Sequence, residues 1–125
     1  MCTSKILAIA FCDDDVSKLR DCLGAELEVL AVTLDEAAIQ LEHDERVGVV
    51  IFDIEGNPDW PSELQELLSV RPPSRVILLS RLADDCLWMD ALEAGAHDLL
   101  MKPFDKIGIS SVVRSAMLRS HHAAA

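Results

Sequence analysis

Val47-Gly48-Val49-Val50-Ile51-Phe52-Asp53 is the stretch that decides how this chain folds. An apolar run without strict in-and-out alternation marks a strand covered on both faces, as in a parallel sheet. A carboxylate closing such a run belongs to a polar site or is a costly burial, because an unpaired buried charge is strongly disfavoured. Three other segments end in a similar way: Ile6–Phe11 runs into Asp13-Asp14-Asp15, Val76-Ile77-Leu78-Leu79 into Ser80, and Leu99-Leu100-Met101 into Lys102-Pro103. Acids, a hydroxyl and an amine at the ends of apolar runs point to one polar site on one edge of one sheet.

The chain has 125 residues, half of them apolar and 26% charged, which suits one globular domain with a single core. Its apolar runs are strand-sized, far short of the roughly 20 residues that span a bilayer. No amino-terminal stretch has the pattern of a signal peptide, so the cytoplasm is the expected location and no membrane partner is expected. The four cysteines, Cys2, Cys12, Cys22 and Cys86, are scattered and form no C-x-x-C pair. Reduced thiols are therefore expected. A net charge of −11 argues against direct nucleic-acid binding, which needs basic surface to displace phosphate counterions. His121-His122 and Ala123-Ala124-Ala125 read as a tail with a cloning-vector remnant, which leaves residues 1–120 as the domain.

Strand-length runs alternate with segments of helical period. The expected strands are Lys5–Phe11, Leu27–Val32, Val47–Phe52, Val76–Leu79 and Asp98–Met101. Val16, Leu19, Arg20 and Leu23 mark a short first helix closed by Gly24. Thr33-Leu34-Asp35-Glu36 is a capping-box pattern before the stripe Leu34, Ala37, Ala38 and Leu41. Ser62-Glu63-Leu64-Gln65 repeats that signal after Pro61, with Pro72-Pro73 as the stop. Asp84 or Asp85 caps a fourth helix that Gly95 ends, and Asp105 starts a fifth carrying Ile109, Val112, Val113, Ala116 and Met117. The order is (βα)₅, an α/β three-layer sandwich around a parallel sheet with right-handed crossovers. Open sheets of this kind take ligands outside the carboxyl ends of their strands. The acids, Ser80 and Lys102 all fall on that edge.

Carboxylates gathered within a few ångströms repel one another, so such a cluster takes up a proton or a cation. An all-oxygen site with room for waters suits Mg²⁺. A carboxylate beside Mg²⁺ and an ammonium is placed to attack a phosphoryl group, the two cations neutralising its oxygens. Taken singly, each residue has a plainer explanation. The acidic triplet favours a helix dipole, Ser80 is a strand-end hydroxyl, Lys102 is a surface lysine, and Asp53 caps the next turn. Their joint placement is what favours a site.

These residues resemble a response-regulator receiver domain of two-component signalling, of the chemotaxis-regulator-like kind. The matching stretches are Ile6-Leu7-Ala8-Ile9 leading to Asp13-Asp14-Asp15, Val50-Ile51-Phe52-Asp53, Val76–Ser80, and Ala91-Leu92-Glu93-Ala94-Gly95-Ala96-His97-Asp98-Leu99-Leu100-Met101-Lys102-Pro103-Phe104. The resemblance implies a flavodoxin-like five-stranded sheet of order 2-1-3-4-5. It implies Asp53 as phosphoacceptor, Lys102 as the partner of the phosphoryl oxygens, Ser80 as the hydroxyl that moves towards them, and a cis Lys102–Pro103 bond. It further implies Mg²⁺ held by Asp13, Asp14, Asp53 and the backbone carbonyl of Glu55, with the register among Asp13, Asp14 and Asp15 left open. The implied partners are a sensor histidine kinase or phosphotransfer protein and a downstream protein or output domain. A homodimer through the fourth helix, fifth strand and fifth helix is a further implied assembly. The chain is then a bacterial signalling switch that catalyses its own phosphorylation and dephosphorylation, not a turnover enzyme.

Several positions depart from the family. The first helix is short, and Glu55 adds negative charge two residues beyond Asp53. Arg81 stands where a small residue is usual, and Leu99 replaces the usual switch aromatic, so output is expected to be damped or redirected. Trp88 is a candidate contact residue, and Trp60 is expected to cover the loop beside the site. The chief rival is a degenerate receiver that binds partners without phosphorylation. A phosphatase using Asp53-Ile54-Glu55 ranks last.

Overall fold

A computed structural model describes residues 4–24, 27–44, 46–70, 75–82 and 84–122. Five strands alternate with five helices: β1 (Ser4–Ile9), α1 (Asp13–Leu23), β2 (Leu27–Val32), α2 (Leu34–His43), β3 (Val47–Asp53), α3 (Trp60–Val70), β4 (Arg75–Ser80), α4 (Asp85–Glu93), β5 (Asp98–Met101) and α5 (Lys106–His122). All strands pair in parallel, in the order β2-β1-β3-β4-β5. The expected (βα)₅ sandwich of order 2-1-3-4-5 is therefore the observed one. Cys2, Pro72-Pro73 and Ala123–Ala125 lie outside the described residues.

Period-two alternation assigns each strand residue to one of two cores. Leu7, Ile9, Val50, Phe52, Val76 and Leu78 face α2, α3 and α4, where Ala37, Leu41, Leu64, Leu67 and Ala91 meet them. Ile6, Ala8, Val49, Ile51, Ile77 and Leu79 face α1 and α5, against Leu19, Ile109, Val113 and Ala116. Both faces being covered explains why β3 and β4 read as continuous apolar runs. Each large side chain so buried contributes about 1.5–3 kcal/mol. That is enough for the sheet to hold one paired carboxylate at its edge.

The helix ends follow the local chemistry. The Thr33 hydroxyl accepts the Glu36 amide at 3.2 Å while the Glu36 carboxylate accepts the Thr33 amide at 3.0 Å, a complete capping box. Asp84 caps α4 by accepting the Leu87 amide at 2.8 Å, and the Asp105 carboxylate receives the Gly108 amide at the start of α5. Gly24 and Gly95 stand just past α1 and α4 with φ of 79° and 104°. α3 starts at Trp60, ahead of the expected Ser62, because Asn57 accepts the Asp59 amide at 3.0 Å and turns the chain early. Pro61 then falls in the first turn, where no amide is needed.

The largest departure is at β1. The strand was expected to reach Phe11 and stops at Ile9, paired there with Phe52 of β3. Ala10 takes a φ of 67°, which ends the extended conformation. The consequence falls on the site.

Candidate functional site

Asp53 is the last residue of β3, 6% exposed, at the carboxyl edge of the sheet. Removing a carboxylate from water costs several kcal/mol unless its lone pairs are used. Here Oδ2 accepts from Lys102 Nζ at 2.6 Å, and Oδ1 accepts the Glu55 amide at 3.0 Å as the chain turns back after the strand. Lys102 is delivered by β5 and followed by a cis Lys102–Pro103 bond, as the resemblance implied. Its amide donates to the Ser80 carbonyl at 3.1 Å, which ties the end of β5 to the end of β4. The lysine side chain is 13% exposed, so its charge is screened far less than that of a surface pair.

Ser80, buried at the end of β4, lies at the same edge. Its hydroxyl donates to Glu55 Oε2 at 3.2 Å and accepts the Leu82 amide at 3.1 Å. The Arg81 amide donates to the same Oε2 at 3.3 Å, and Arg81 Nε stands 3.7 Å from Oε1. Asp53, Lys102, Ser80 and Glu55 thus form one connected constellation. The Glu55 side chain, expected to add negative charge beside Asp53, instead bonds to the end of β4.

The acidic triplet does not join them as expected. With β1 ended at Ile9, the first residues past the strand beside Asp53 are Ala10 and Phe11, and Phe11 packs on Phe104 with ring centroids 6.4 Å apart. Lys18 Nζ covers the Phe104 ring at 4.8 Å. Asp13, Asp14 and Asp15 form the first turn of α1, where carboxylates oppose the positive end of the helix dipole. Asp13 and Asp14 are exposed and, among the described residues, form no ion pair. Asp15 is the acid that turns inward, its Oδ2 at 3.9 Å from Lys102 Nζ. The clue in the sequence was Phe11-Cys12, two residues that place the acids beyond the strand end.

This arrangement bears directly on Mg²⁺. Among the described residues no group of three or more His, Cys, Asp or Glu is placed to hold a metal ion. The two carboxylates at the edge, Asp53 and Asp15, have the Lys102 ammonium between them, and the Glu55 carboxylate is turned to Ser80 and Arg81. The expected carboxylate ligands Asp13, Asp14 and Asp53 are not gathered as a metal-holding group in this geometry.

Leu99 is buried in the α2–α3–α4 core and borders a cleft with Asp84, Asp85 and Trp88. Trp60 packs against that same core from the start of α3.

No protein-family model matches the sequence. None of the curated proteins matches it either. Solved structures do match over nearly the whole chain. A response regulator from Thermotoga maritima superposes with a TM-score of 0.83 at 19% identity, over 93% of this chain and 98% of that one. A response regulator receiver domain protein from Clostridium thermocellum gives a TM-score of 0.80 at 25% identity, over 96% and 98%. A putative pilus assembly-related protein from Burkholderia pseudomallei gives 0.78 at 15% identity, over 93% and 90%. Sheet order, helix placement and these end-to-end matches agree: the chain has the fold of response-regulator receiver domains.

Proposed function

We propose that the chain is a phosphoacceptor receiver module in two-component signalling, with Asp53 as the residue that takes the phosphoryl group. The observation that carries this reading is the buried Asp53–Lys102 pair, 2.6 Å apart at the carboxyl edge of the sheet. That edge is where open α/β sheets place their ligands. A carboxylate oxygen of Asp53 attacks the phosphorus of a phosphohistidine, the phosphorus–nitrogen bond breaks, and the imidazole leaves with the bonding pair and takes a proton. An acyl phosphate remains on Asp53. Lys102 neutralises charge on the transferring oxygens, and no step is assigned to Asp13 or Asp14. The donor is a sensor histidine kinase or a phosphotransfer protein.

Phosphorylation replaces the Asp53 carboxylate with an acyl phosphate of about two negative charges, a net gain of about one beside Lys102 and Ser80, which biases the ends of β4 and β5. The readout face is formed by α4, β5 and α5. Trp88, Met89, Met101 and Ile107 are 44%, 51%, 58% and 84% exposed there, which supports a protein contact, with a downstream protein or with a second copy. The module acts as a switch and not as a turnover enzyme. No described helix is long and apolar enough to cross a membrane.

One group of observations favours a second reading, a receiver fold that binds its partner without phosphorylation. Ala10 and Phe11 follow the end of β1, Asp13 and Asp14 face solvent, and the Ser80 hydroxyl is already bonded to Glu55. Acetyl phosphate followed by intact-mass measurement separates the two. The phosphoacceptor reading expects the gain of one phosphoryl group in the wild type and none in Asp53→Asn. No gain in the wild type from acetyl phosphate or phosphoramidate, with or without Mg²⁺, leaves the second reading standing.

A further inference from the structure

A serine hydroxyl carries one proton to donate. In this protein the Ser80 proton is committed to Glu55 Oε2 at 3.2 Å, and the neighbouring Arg81 amide points to that same oxygen at 3.3 Å. The other oxygen of Glu55 is held by Arg81 Nε at 3.7 Å. Ser80 is buried and also accepts the Leu82 amide at 3.1 Å, so its hydroxyl is fixed from both sides. These donors stand at the end of β4, the strand paired with β3 up to Asp53, and are occupied by a carboxylate that the chain itself supplies.

We propose that Glu55 is a resident anion of this site. Its carboxylate holds the Ser80 hydroxyl and the Arg81 amide in the resting protein, and it sets how readily the site accepts a phosphate-like anion on Asp53. The part concerning anion uptake rests on the phosphoacceptor reading; the part concerning Ser80 does not. Two effects act in the same direction. An incoming anion must displace charge-assisted hydrogen bonds from both donors, and it must approach a carboxylate of like charge. Glu55 is accordingly a positioning residue. It acts through Ser80 and Arg81 and tunes anion affinity instead of taking part in bond making. Its side chain is one third exposed, so removing it leaves the cores intact.

The test uses the full chain and its Glu55→Ala and Glu55→Gln variants. Beryllofluoride, which adds to a carboxylate as a stand-in for the phosphoryl group, is titrated by tryptophan fluorescence with Mg²⁺ in the buffer. Amide hydrogen exchange at Arg81 is followed by NMR in parallel. Loss of a charge-assisted competitor is expected to tighten beryllofluoride binding about tenfold in Glu55→Ala. Glu55→Gln, which keeps an acceptor oxygen without the charge, should fall between Glu55→Ala and the wild type. The Arg81 amide should exchange faster in Glu55→Ala even without the anion.

Unchanged Arg81 exchange in Glu55→Ala overturns the proposal, and so does equal beryllofluoride affinity in the wild type and that variant. If exchange accelerates but neither protein takes beryllofluoride, the Asp53 reading falls. Glu55 is then supported as the permanent occupant of the Ser80 and Arg81 donors.

Discussion

Among the described residues lysine meets aspartate at 2.6 Å twice, once at each edge of the sheet, and the two pairs have different surroundings. At the amino edge Asp44 receives Lys5 Nζ, and Arg46 reaches both carboxylate oxygens at 3.2 Å while its amide donates at 3.0 Å. The Arg46 guanidinium and then the Lys5 ammonium hold the Asp44 carboxyl well below the usual carboxylate range. Two cations share one anion there, and the result is a clamp between the start of β1 and the α2–β3 turn. At the carboxyl edge the ratio is reversed. One buried ammonium serves Asp53 at 2.6 Å and Asp15 at 3.9 Å, with the Glu55 carboxylate at the end of β4. A pair with surplus positive charge closes a structure, whereas one with surplus negative charge and fixed donors around it is suited to chemistry.

The strongest way to break this contrast is to remove each lysine in turn. Lys102→Met is expected to lower the rate of phosphoryl uptake from acetyl phosphate by at least about 100-fold, the usual effect of deleting a charge-stabilising donor. Lys5→Met should leave that rate within about twofold. Intact-mass time courses decide, and a comparable loss in Lys5→Met would mean that the two edges are not functionally distinct.

Backbone strain provides a smaller test of the same contrast. At the amino edge the positive φ before β5 is taken by Gly95, whose added Cβ would lie 2.7 Å from Leu68 Cδ1. At the carboxyl edge the positive φ after β1 is taken by Ala10, at 67°. Gly95→Ala should therefore lose about 2 kcal/mol in urea unfolding. Ala10→Gly should gain about 1 kcal/mol. A loss of stability in Ala10→Gly would show that the carboxyl edge is the relaxed one.

The smallest effect expected is on acid stability. The folded-state pKa of Asp44 is depressed, so its contribution is fully present above the unfolded carboxylate value of about 4 and is lost as pH falls below it. Asp44→Asn should flatten the fall in urea midpoint between about pH 5 and pH 2. A fall as steep as that of the wild type would remove Asp44 from the acid-sensitive groups.

Much of this was legible from residue order. Parallel pairing followed from β3 and β4 lacking alternation, and helix starts followed from Thr33, Asp84 and Asp105, because both signals are local. Asp53, Ser80 and Lys102 were legible as well, since each closes or follows an apolar run whose end the pattern marks. The acidic triplet was misplaced because Ala10 and Phe11 are apolar and read as more strand. Only the left-handed conformation of Ala10 turns them out of β1 and sends Asp13 and Asp14 into the first turn of α1.

The amino-acid sequence by itself determined the (βα)₅ order, the two cores and the edge on which the polar groups gather. Those depend on periodicity and on capping within a few residues. Tertiary structure alone decided which acid faces Lys102, that Phe11 covers Phe104, and that the Glu55 carboxylate holds Ser80 across 25 positions of chain. Such contacts depend on strand register and on a single backbone turn, and no local pattern of residues encodes either.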